Sequence, residues 1–90
     1  MKKVKINGKH LINRNVLHET MASAMQFPAY YGKNLDALHD CLGECCEPTT
    51  LIVTHTDRLL RNLGDYGDTF LRVLTDSAES NKNLTVVLYR

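Results

Sequence analysis

The chain has 90 residues, with 11 Lys or Arg against 10 Asp or Glu, a net charge of +1, and hydrophobic and charged fractions of 43% and 23%. A chain this short buries only about 60% of the surface its unfolded form exposes, so one core and a single domain over residues 1–90 are expected. Ordinary apolar content with only five Gly and two Pro excludes disordered and fibrous classes, and the near-neutral balance gives no bulk basic surface for nucleic acid.

The N-terminus, Met1-Lys2-Lys3-Val4-Lys5-Ile6, alternates with period two, which reads as a strand closed by the turn pair Asn7-Gly8 and not as the apolar core of a signal peptide. From about Arg14 to Met25, Leu17, Met21, Ala24 and Met25 form the stripe of an amphipathic helix, with His18, Glu19 and Ala22 expected to face outward. Pro28 ends that helix. The connection from Phe27 to Lys33 then carries Tyr30 and Tyr31 beside Gly32, more aromatic surface than a plain linker needs. Asn34 is a good N-cap and Asp36 complements the helix dipole, so a second helix is expected from there to about Cys46. Its apolar arc holds Leu35, Leu38, Cys41, Leu42 and Cys45, while Asp36, Asp40, Gly43, Glu44 and Glu47 lie opposite.

After Pro48, Thr50 to Thr54 is a β-branched run without alternation, as expected of a strand covered on both faces. Apolar runs such as Leu51-Ile52-Val53 fall far short of the roughly 20 residues of a membrane span, so no membrane association is expected. Thr56 is placed to cap a third helix through Leu59, Leu60 and Leu63, closed by Gly64 in a left-handed conformation. A fourth helix is expected from Asp65 or Asp68 to about Asn81. It buries Phe70, Leu71, Leu74 and Ala78, and sets Arg72 and Asp76 four residues apart on the outside. Leu84 to Tyr89 is the last strand. The order β-α-α-β-α-α-β calls for an α/β fold with a small parallel sheet and right-handed crossovers.

Charge is unevenly placed along the chain. Residues 1–33 carry Lys2, Lys3, Lys5, Lys9, Arg14 and Lys33 against Glu19 alone, whereas residues 34–47 carry Asp36, Asp40, Glu44 and Glu47 with no cation. Catalysis by Cys41 is disfavoured, since His39 is two residues away on the same helix and points about 200° from it; a buried, inert thiol is expected. Cys45 and Cys46 add a pair without the second CxxC or HxxxH of a zinc site, so neither metal nor cofactor is expected. Three cysteines within six residues read as reduced thiols of a cytoplasmic protein. A thiol or metal enzyme remains the alternative from another class. The acidic helix face, lacking lysines at i+4 and preceded by the two tyrosines, is the candidate binding surface.

The fifteen residues Pro28-Ala29-Tyr30-Tyr31-Gly32-Lys33-Asn34-Leu35-Asp36-Ala37-Leu38-His39-Asp40-Cys41-Leu42 closely resemble the signature P-x-Y-Y-G-x-N-L-D-A-L-x-D-C-L of barstar-family ribonuclease inhibitors. A weaker resemblance covers nearly the whole chain, from Val-Lys-Ile-Asn-Gly at Val4 to Gly8 to the final Leu-Thr-Val-Val-Leu. It implies a three-stranded parallel sheet with four helices. It also implies a protein without chemistry of its own that forms a one-to-one complex with a barnase-type ribonuclease, is monomeric when free, and has no direct contact with nucleic acid. By that resemblance Asp40 mimics a substrate phosphate and Asp36 adds a second charged contact. Tyr30 packs over the cleft, Asn34 bonds at its edge, His39, Gly43 and Glu44 share the surface, and Asp76 contributes from the last helix. The family's namesake has tryptophan, threonine and tryptophan where this chain has His39, Gly43 and Cys45, and it is more acidic. These departures leave open an immunity or antitoxin protein whose target is a nuclease of another fold, and they add in His39 a route to pH-dependent binding.

Overall fold

A computed structural model describes residues 2–90. The described residues form β1 (Lys2–Asn7), a 3-10 turn (Gly8–His10), α1 (Arg14–Met25), α2 (Leu35–Gly43), β2 (Thr49–Thr54), α3 (Thr56–Leu63), α4 (Asp65–Ser80) and β3 (Leu84–Leu88). The expected α/β order of β-α-α-β-α-α-β is thus the observed one. All strand pairs are parallel in the order β1-β2-β3, with Val4 opposite Leu51 and Leu51 opposite Val86.

A sheet that adds strands steadily in one direction, with the right-handed crossovers parallel strands require, carries both connections on one face. Burial agrees: Val4, Ile6, Leu51, Val53 and Leu84 are enclosed, while Lys3, Lys5 and Thr85 are exposed. The expectation that the middle strand is covered on both faces is therefore corrected. Thr50, Ile52 and Thr54 are only half-buried, because β2 owes its screening on that side to the side chains of the flanking strands and not to a second helical layer. On the covered face Leu11, Leu17, Met21, Leu38, Leu42, Leu59, Phe70 and Leu74 complete the core with the inward strand residues.

Several local expectations are also revised. His18 does not face outward: it is 1% exposed. Met21 and Met25 lie three and seven residues on from it, the spacing of one helix face, so His18 borders the apolar stripe despite its polarity. The second helix stops at Gly43 and not near Cys46. Glycine costs about 1 kcal/mol in a helix, and Asn81 Nδ2 donates to the carbonyls of Leu42 at 3.0 Å and Cys45 at 2.9 Å, which turns the chain out of the helix. Cys45, Cys46 and Glu47 lie beyond it.

In α3 the cap position is His55, held at φ 53° without a side-chain cap bond, and Thr56 is the first helical residue. Gly64 has the expected positive φ, 58°, but with ψ −132° it does not adopt the left-handed helical conformation expected at the cap; only glycine adopts this conformation readily. Gly67 is a close-approach site, since a Cβ there would lie 2.9 Å from Leu59 Cδ2 where α3 meets α4. On α4, Phe70 and Leu74 are buried as expected, but Leu71 and Ala78 are half-exposed. Arg72 pairs with Asp68 at 3.2 Å and not with Asp76.

Candidate functional site

The site is built on the loop after α1 and on α2. Gln26 ends α1 in the left-handed region at φ 57°, the amide of Phe27 donates to the Ala22 carbonyl at 2.9 Å, and the Tyr31 amide donates to the Pro28 carbonyl at 3.0 Å. That tight turn sends the two tyrosines opposite ways. Tyr30 is 83% exposed, whereas Tyr31 is 7% exposed and packs against Phe27 with ring centroids 4.9 Å apart and planes tilted by 49°. Lys33, at φ 53°, redirects the chain into α2. Asn34 caps that helix, its Oδ1 accepting from the Ala37 amide at 2.7 Å while its Nδ2 donates to the Gly32 carbonyl at 3.2 Å.

On α2, Leu38 and Leu42 are buried and Asp36, His39, Asp40 and Gly43 are exposed, with Glu44 exposed at the cap. Asp36, Asp40 and Glu44 follow one another at intervals of four, which stacks them in a row along one side. Among the described residues the two ion pairs are Lys33 with Glu19 and Arg72 with Asp68, so none of the three carboxylates of this row is in an ion pair there. Glu47 was expected on the same face; the early end of the helix removes it, leaving three carboxylates in place of four.

Two depressions flank the row. Near its start a cleft of about 470 Å³ is lined by Arg14, Lys33, Asn34, Asp36 and Tyr66. Near its end a smaller crevice of about 180 Å³ lies between Phe27, Tyr30, Cys41, Glu44 and Cys45. The structure thus brings Tyr30 together with Glu44, and Asn34 with Asp36. Asp76 is exposed on α4, which packs against α2.

Cys41 is half-buried, and its thiol is pushed up from its ordinary value by burial and by the charges of Glu44 and Asp40. A thiol held protonated is a poor nucleophile and a poor metal ligand. Cys45 is half-buried, its Sγ donating to the Glu47 carbonyl at 3.3 Å, and Cys46 is exposed. Among the described residues no helix is long and apolar enough to cross a membrane.

Sequence reasoning missed what supports the surface from below. His18 Nδ1 lies 2.7 Å from the Tyr31 hydroxyl and His18 Nε2 lies 2.6 Å from that of Tyr66. The Arg14 guanidinium covers the Tyr66 ring at 4.2 Å from its centroid. The methionine spacing around His18 is a readable signal; nothing local in the sequence points to Tyr66.

The chain matches the family model described as "Barstar (barnase inhibitor)" over residues 1–89. It is 39% identical over 84 residues to a protein of Bacillus subtilis (strain 168) named "Putative ribonuclease inhibitor YrdF", covering 92% of each chain. With the family model spanning nearly the whole chain, a relative 39% identical over 92% of it, and a three-stranded parallel sheet with four helices consistent with the family's fold, the chain belongs to the barstar family.

Proposed function

We propose that this protein inhibits a ribonuclease, specifically a barnase-type secreted one, by inserting the acidic side of α2 and the preceding tyrosine loop into the nuclease active site. The observation that carries this reading is the row of exposed carboxylates Asp36, Asp40 and Glu44, none of them in an ion pair among the described residues. A ribonuclease cleft must be cationic to hold RNA phosphates, and carboxylates fixed along a helix supply the same acceptor oxygens, suited to charge-assisted bonds with Arg and Lys. In this reading Asp40 takes the place of a phosphate and Asp36 makes a second charged contact. Tyr30, with its ring already in water, lies over the cleft and loses little rotamer freedom on docking. Asn34 offers its edge beside the loop, and Asp76 adds a contact from α4. The protein performs no chemistry, forms a one-to-one complex in the cytoplasm of the producing cell, and is monomeric otherwise. RNA itself is not the ligand, since the same carboxylates repel phosphate.

A second reading is favoured by one region. His39 and Gly43 are exposed and Cys45 is half-buried, so the far half of α2 offers no large aromatic anchor of its own beyond Tyr30 of the loop, which fits an immunity or antitoxin role against a nuclease of another fold. Binding to such an enzyme, with none to a barnase-type one, would select it. The experiment for the main reading is Asp40→Ala. With the fold retained by circular dichroism, inhibition of the ribonuclease is expected to weaken by at least about thirtyfold, equivalent to the roughly 2 kcal/mol threshold of an interface hot spot. Unchanged inhibition would reject the phosphate-mimic role.

A further inference from the structure

His18 is buried at 1% exposure, yet both its ring nitrogens are engaged, by hydroxyls 13 and 48 residues away in sequence. A neutral imidazole has one N–H and one lone pair, so one tyrosine donates to the ring and the other accepts from it. The ring centroids lie 5.8 Å apart for His18 and Tyr31 and 6.1 Å apart, edge-on, for His18 and Tyr66. Tyr31 sits in the middle of the loop and Tyr66 in the first turn of α4. Three separate parts of the chain therefore meet at one side chain directly beneath the exposed surface.

We infer that His18 is a positioning residue for that surface: its imidazole, bonded on both nitrogens, clamps Tyr31 of the loop to Tyr66 of α4 and so fixes the orientation of Tyr30, Asn34 and the first turn of α2. The inference rests on the surface being the nuclease contact, and adds to it a dependence on the charge of one buried ring. An imidazolium donates from both nitrogens. The tyrosine that donates to the neutral ring must then turn its O–H hydrogen away, and neither hydroxyl has a second hydrogen-bond partner among the described residues. The clamp loosens and the loop with it.

The charged groups around the ring do not offset this. Arg14 and Glu19 face the region from α1, Lys33 from the loop, Asp36 from α2 and Tyr66 from α4, with the Cys41 thiol beside Tyr31. Cations and carboxylates balance in number, and the groups that bond the ring are neutral hydroxyls, which burial keeps protonated by raising both tyrosines above their ordinary value. Burial likewise holds His18 below 6.5. The sign follows: the ring is mainly neutral at 6.5 and more completely so above it, and as pH falls through its lower native value, binding requires a proton to be shed. One linked proton weakens affinity by at most about tenfold per pH unit.

The test uses the His39→Gln protein, which removes the exposed imidazole, and His18→Gln/His39→Gln, in which glutamine keeps a donor and an acceptor but cannot take a charge. Heteronuclear NMR of each free protein is followed from about pH 8 to about pH 5, across the imidazole range, alongside inhibition of a barnase-type ribonuclease. Backbone amides of Tyr30, Tyr31 and Lys33 are expected to move with the His18 ring signal, at a midpoint below 6.5, in the first protein and to stay fixed in the second. Inhibition is expected to weaken across that midpoint in the first protein alone. Loop amides that stay fixed while His18 titrates, or the same inhibition profile in both proteins, would overturn the inference. Moving loop amides in the His39→Gln protein, with no inhibition by the unsubstituted protein at any pH, would uphold the clamp and reject the ribonuclease reading, so the two fail separately.

Discussion

Asp36, Asp40 and Glu44 repel one another along α2, and like charges four residues apart each cost about 0.2–0.5 kcal/mol. The free protein is therefore less stable for carrying the row, and in the proposed complex cations of the nuclease would offset that cost. Asp40→Asn is accordingly expected to raise the unfolding free energy by a few tenths of a kcal/mol while removing inhibition, as checked by denaturant titration beside an activity assay. A loss of stability would place Asp40 in an interaction within the fold instead. Elsewhere, the Ser77 hydroxyl is buried without a hydrogen-bond partner, and Ser77→Ala removes that desolvated group and improves helix propensity. A gain of about 1 kcal/mol is expected, read from the urea midpoint.

His18 titration has a consequence for folding as well. Because its native value lies below 6.5, the neutral ring contributes its full stability only well above 6.5. That contribution is lost as pH falls from 6.5 towards the native value, a decline that His18→Gln should flatten. These residues differ in how far the sequence reveals them. The carboxylate row was legible because it is a periodic pattern within one helix. The burial of His18 is hidden in the sequence because its polarity masks its angle on the wheel, and Tyr66 is unreadable because its partner is 48 residues away.

The α2 element carries the surface, and its two ends are held by different means. Asn34 closes the start within the local chain, a signal that sequence reading recovers directly. The far end is fixed by Asn81, from the end of α4, bonding the Leu42 and Cys45 carbonyls. That contact spans almost half the chain, which is why the helix was expected to continue to Cys46 and to include Glu47 on its acidic face. Asn81→Ala leaves both carbonyls without this donor and is expected to cost about 1–3 kcal/mol. Faster amide exchange in residues 41–45 than in the start of α2 would show the end fraying; uniform exchange would contradict the clamp. At Gly43, a Cβ would meet nothing within 4 Å, so Gly43→Ala should stabilise the helix by about 1 kcal/mol in thermal melts.

Across the whole molecule, a parallel sheet wound in one direction leaves one face without helices, and there β1 sets out Lys3 and Lys5. The acidic row lies on the helical layer. A net charge of +1 thus hides a separation of opposite charges, and the bulk field that steers a strongly acidic inhibitor is weak here. Association with a cationic nuclease is expected to slow as ionic strength rises from about 0.01 M to about 1 M, where the screening length contracts from roughly 30 Å to 3 Å. Dissociation should change less, since the desolvated contacts persist. The strand and helix order was legible because each element has its own period. The open sheet face was not, because half-burial from flanking strands and burial under a second layer give similar apolar runs.

The central claim is that the acidic side of α2 occupies the place of RNA in a ribonuclease. It is tested most directly by titrating a purified barnase-type ribonuclease with this protein at several RNA concentrations. Activity is predicted to fall to zero at one equivalent, with inhibition relieved competitively as RNA is raised. Undiminished cleavage at excess protein, or inhibition indifferent to RNA concentration, would contradict it.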